Sequence, residues 1–139
     1  MNKQMPITIK AAAVALLSSL VAALIGAYFD GIEVEELGFD DPITLVINIV
    51  WAIVIGWIIW DLYRARSIKW SLILIGGIQL TSIVWNYIEF NFSYSQLFYI
   101  IEFLMFVITY IFTSSKPSKE WFASKTTATK SSGNPRPKK

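Results

Sequence analysis

The sequence predicts an all-α polytopic membrane protein: an antiparallel four-helix transmembrane bundle over residues 1–115, then a basic, mostly disordered C-terminal tail over 116–139. Two observations carry this. Uncharged runs of 19 residues occupy 11–29, 42–60 and 70–88, and a fourth run, 90–115, is broken only by Glu102. Nineteen residues at about 1.5 Å each make roughly 28 Å of helix, close to the ~30 Å hydrocarbon core of a bilayer. The second observation is where the 12 basic residues fall. Lys3 and Lys10 precede the first run, Arg64, Arg66 and Lys69 separate the second from the third, and the remaining seven follow the fourth. The other two loops, "DGIEVEELGFDD" and "EFNFSYS", contain none. Short loops rich in Lys and Arg stay cytoplasmic. The pattern therefore predicts a multi-pass chain with both termini in the cytoplasm.

The chain has no Cys and no His. That removes thiolate nucleophiles, imidazole bases and the usual zinc and haem ligand sets from consideration. No catalytic residues, cofactor or metal site are expected.

Helix 1, about 9–29, is rich in small residues. Ala15, Ser19, Ala23 and Ala27 recur every four positions, with Ser18, Ala22 and Gly26 as a second row. In lipid, small residues matter because they let backbones approach closely. This face is read as packing inside the bundle, and a dimerisation face is the sharper alternative. The apolar run exceeds the ~7–15 residues of a signal-peptide core, so it is read as a span of the mature protein. The loop that follows holds six of the ten acids (Asp30, Glu33, Glu35, Glu36, Asp40 and Asp41). A calcium-binding EF-hand loop needs oxygen ligands at alternate positions, and Ile32 and Val34 break that pattern.

Helix 2, about 42–62, opens on "DDPIT", which makes Asp41 the expected N-cap and Pro42 the first helical residue. Thr44, Asn48, Ala52 and Gly56 form a small, polar stripe, leaving the Ile, Val and Trp side chains to face lipid. Trp57, Trp60 and Trp70 suit the inner interface, and Tyr28, Trp85 and Tyr87 the outer one. Helix 3, about 69–89, carries Gln79, Ser82, Asn86 and Glu89 within an arc of about 80°. Helix 4, about 95–114, carries Ser95, Glu102, Thr109 and Thr113 within about 40°.

A tight turn makes helices 3 and 4 antiparallel neighbours, and polar residues in lipid turn inward. Counting depth from the outer ends brings Asn48, Ser82, Asn86 and Glu102 to similar levels. They form the expected intramembrane polar cluster. A protonated Glu102 could donate to an amide carbonyl there and hold helices together, worth about 1 kcal/mol.

The tail, "KPSKEWFASKTTATKSSGNPRPKK", has seven basic residues and one acid. Its composition buries too little apolar area to fold. Trp121 and Phe122 are expected at the inner interface, and the lysines at anionic lipid headgroups, at about 1 kcal/mol each. Nucleic acid is not expected as a partner, because aromatic and basic residues do not interleave beyond Trp121.

The short basic loop "LYRARSIKW" after helix 2 and "KEWF" after helix 4 carry a resemblance. Over residues 11–122 the layout resembles the small, uncharacterised four-helix inner-membrane proteins of bacteria. The resemblance implies a four-helix fold and a place in the cell's inner (plasma) membrane, but no activity. Small multidrug transporters share the length and helix count but rely on a membrane-embedded Glu in the first helix. Helix 1 here has no charge between 11 and 29.

Two functional readings follow. The first is a non-catalytic protein acting through helix contacts in the bilayer, an accessory subunit or immunity-type protein with a membrane protein partner or a second copy of itself. The second is an oligomeric small-solute or ion transporter or channel using Glu102 and the helix 3 polar stripe. No nucleophile–base pair or phosphate-cradling loop points to an enzyme.

Overall fold

The structure is a computed structural model that describes residues 4–33 and 42–132. Among these it is wholly helical: α1 (Ile7–Glu33), α2 (Pro42–Tyr63), α3 (Lys69–Phe90), α4 (Tyr94–Ser114) and α5 (Lys116–Ser132). The first four are long and apolar enough to cross a membrane. Asp41, the expected N-cap, and its loop neighbours Glu35, Glu36 and Asp40 lie outside the described residues.

Local chemistry sets each boundary. α2 ends in a Schellman motif, in which the Arg66 N–H reaches the Asp61 carbonyl at 2.9 Å and the Ala65 N–H reaches Leu62 at 3.1 Å. The motif needs a left-handed residue, usually Gly. Here Ala65 takes it, with φ 57°. α3 stops at Asn91, which adopts φ 59°, a conformation that asparagine tolerates better than most residues. α4 and α5 are separated by the extended Ser115, at φ −65° and ψ 154°. Pro117 then sits in the first turn of α5, where a missing N–H costs nothing.

α1 and α4 form the closest pair of helices, and their ends show the direction. Thr8 at the start of α1 meets Ser118 just past α4, their hydroxyls 2.7 Å apart. At the other end the Phe29 ring stacks on Phe98, with centroids 5.3 Å apart. The two helices therefore run in opposite directions. α3 packs on α4, and α2 on α1.

The apolar core lies toward the end of the molecule that bears the basic residues. It joins Ile9, Ala12 and Leu16 of α1, Ile55, Ile58 and Leu62 of α2, Leu72 and Ile75 of α3, Phe106 of α4 and Trp121 of α5.

Two expectations need correction. The buried face of α2 is Ile55, Ile58 and Leu62, with Trp51 half-buried above it. Gly56 of the predicted stripe is exposed, and a Cβ added there meets nothing within 4 Å. Residues 116–132 form α5 rather than a disordered tail. The Ser118 hydroxyl donates to the Phe112 carbonyl at 2.8 Å, and Trp121 is only 3% exposed, inside the core rather than at an interface. Composition does not reveal this buried indole.

Candidate functional site

Of the polar residues that α4 buries, Ser95, Glu102, Thr109 and Thr113 form one narrow line, with Gln96 beside its first member. The members of the line recur at seven, seven and four positions, so they share a face with a helical period of 3.6. Thr109 and Thr113 return their hydroxyls to the carbonyls of Met105 and Thr109, at 2.8 and 2.9 Å. That leaves Glu102 as the ionisable member of the line, and it is 1% exposed.

Both of its carboxyl oxygens are engaged by other helices. The Trp51 indole N–H on α2 donates to Oε1 at 2.5 Å. The Gln79 amide on α3 donates to Oε2 at 2.7 Å. One side chain thus connects α2, α3 and α4. The Trp51 ring also meets Phe106, one turn beyond Glu102, edge-on at 6.4 Å, which fixes the indole's direction. Buried polar groups must find partners, because leaving one unpaired costs several times what the bond contributes. Trp51, Gln79 and Glu102 satisfy one another.

The predicted cluster therefore keeps Glu102 and changes its companions. Asn48 donates its amide to the Thr44 carbonyl of its own helix at 2.8 Å. Ser82 is exposed and Asn86 half-buried. Ser82 is the mirror of Glu102 about Phe92 in the turn, which is why depth counting selects it. Gln79 lies one turn further from the turn, on the buried face, and its longer side chain covers the difference. Trp51 lies off the Thr44, Asn48, Ala52 and Gly56 stripe, which is why the sequence reading turns it to lipid. The available signal was its indole N–H, a donor nine residues into α2, at the depth of an acid eight residues into α4.

A second polar link ties α1 to α4. The Tyr99 hydroxyl donates to the Asp30 carboxylate. Beneath it the helices come close at Gly26, where an added Cβ would lie 3.0 Å from Tyr99 Cε1 and 3.4 Å from Phe98 Cβ. The small-residue face, Ala15, Ser19, Ala23 and Ala27, is buried throughout, and the Ser19 hydroxyl closes on the Leu16 carbonyl at 2.6 Å. Two of the exposed tryptophans pair locally instead. Trp57 donates to Asp61 at 3.1 Å, and Trp85 to Glu89 at 2.8 Å.

Among the described residues no three acidic groups converge on a point where a metal ion could bind. No known protein family, curated protein or solved structure matches the chain.

Proposed function

We propose that this is a small integral membrane protein without catalytic apparatus, which acts through helix contacts in the bilayer as an accessory subunit or immunity-type protein. In this reading α1 to α4 form an antiparallel bundle in the inner membrane. Both termini are cytoplasmic, a placement supported by the confinement of Lys and Arg to one set of loops. α5 lies at the cytoplasmic surface and directs its lysines to anionic headgroups.

One observation carries the reading. The carboxyl group in the middle of the spans is enclosed, and each of its oxygens is held by a donor from a different helix. A site that passes protons or ions needs a further relay group or a watery route at the same depth. The remaining acids of the described spans, Asp30, Glu33, Asp61 and Glu89, stand at or near helix ends. Glu102 therefore acts as a fastener between helices, and the fastened bundle presents its outer surface to a partner.

The alternative is an oligomeric transporter or channel. It draws on Ser82 and Asn86, which lie near the Gln79 face of α3 and are not fully covered. Proton flux into vesicles reconstituted with the wild type and with Glu102→Gln separates the two. The contact reading gives flux equal to protein-free vesicles in both cases. Flux present in the wild type and lost in Glu102→Gln would overturn it.

A further inference from the structure

α3 and α4 do not close against each other on one flank. Between them runs an apolar groove of about 330 Å³, walled by Leu72, Ile73 and Leu80 on α3 and by Phe103, Val107 and Tyr110 on α4, with Gly76 and Gly77 as its floor. The α3 positions follow a single helical face (i, i+1, i+4, i+5, i+8), and the α4 positions another (i, i+4, i+7). The hollow exists because the floor has no side chains. A Cβ at Gly77 would meet nothing within 4 Å.

Three features identify the occupant. From Leu72 to Leu80 the groove is eight residues long, roughly 12 Å, which is most of one leaflet of a ~30 Å hydrocarbon core. It occupies the half of α3 nearest Lys69, which starts the helix and lies one turn below Leu72 and Ile73 on the same face. The Lys69 ammonium makes no ion pair among the described residues, and Tyr110 places a half-exposed phenol on the opposite wall near the same end. An apolar channel that spans most of one leaflet, with a lysine one helical turn beyond its end, matches a lipid with an apolar chain and an anionic head. A partner helix would have to cross both leaflets.

We propose that the α3–α4 groove is a binding site for an anionic phospholipid of the leaflet on the basic side, with one acyl chain over Gly76 and Gly77 and the headgroup phosphate at Lys69. The site is separate from the tail lysines and rests on the reading of α3 and α4 as membrane spans.

The test is native mass spectrometry of the full-length chain, extracted in detergent and titrated with dioleoyl phosphatidylglycerol or dioleoyl phosphatidylcholine. The wild type should retain one phosphatidylglycerol in preference to phosphatidylcholine. Gly77→Leu places its Cβ in open space and its branched end in the groove, and should lose the retained lipid. Lys69→Gln should lower the preference for phosphatidylglycerol about fivefold, as removal of one surface cation implies. Equal retention by the wild type and Gly77→Leu would overturn the proposal and move the lipid to the tail. A dimer that Gly77→Leu dissolves would also overturn it, since the groove would then hold a second copy. Recovery of the chain without detergent would sink the membrane reading itself, an outcome distinct from both.

Discussion

Replacing Glu102 by Leu should loosen three helices at once. Leucine is close in volume but offers no acceptor, so the Trp51 N–H and the Gln79 amide lose their shared partner. A buried donor left unpaired costs about 1–3 kcal/mol. Inside a bilayer the measured worth of such bonds falls to about 0.6–2 kcal/mol, because the separated helices also find partners. Two bonds therefore give a loss of about 1–4 kcal/mol. Glu102→Gln behaves differently. Its carbonyl still accepts from Trp51, and its NH2 can donate to Gln79 once that amide rotates by half a turn to present its oxygen. Both bonds survive, and the expected change is under about 1 kcal/mol. Reversible unfolding in mixed detergent micelles, followed by circular dichroism, measures both variants. If Leu were as stable as the wild type, or Gln as damaging as Leu, the three-helix fastening would be wrong.

Four further outcomes follow from other parts of the fold. Ala65→Gly should raise stability by about 1 kcal/mol in the same assay, since Ala65 holds a left-handed conformation at φ 57° that costs L-residues about that much. Gly26→Leu should cost about 1–3 kcal/mol by forcing α1 from α4, because Tyr99, the nearest obstacle, is tethered to Asp30. Gly56→Leu serves as its control and should stay within about 0.5 kcal/mol of the wild type, as the space there is open. Trp121→Ala should release α5 from the core at a cost of about 3–5 kcal/mol, read as faster tryptic cleavage at Lys119 and Lys125.

Much of the helical layout was legible because the signal is long. Runs of 19 uncharged residues leave little choice of structure, and the helix limits near Pro42, Lys69 and Ser114 agree with the sequence reading to within a residue or two. The buried face of α4 was also readable, since Ser95, Glu102, Thr109 and Thr113 stand out against apolar neighbours. α2 was harder. All its residues suit lipid, so composition offers no contrast between its inner and outer faces, and the small residues Ala52 and Gly56 drew attention from Trp51. The companions of Glu102 depended on side-chain reach, which residue counting does not carry. α5 was missed for a related reason. Its polar residues argue against a folded segment, while "SKPS" before Trp121 supplied the break, the first-turn proline and the buried anchor that make one.

The passage of α3 across the bilayer is open to a direct measurement. The chain has no Cys, so Ser67→Cys, before α3, and Phe92→Cys, after it, each provide a single exposed thiol. Labelling intact cells with a membrane-impermeant maleimide should modify the thiol at 92, and reach that at 67 only after the membrane is permeabilised. Labelling of both without permeabilisation, or of 67 alone, would contradict it.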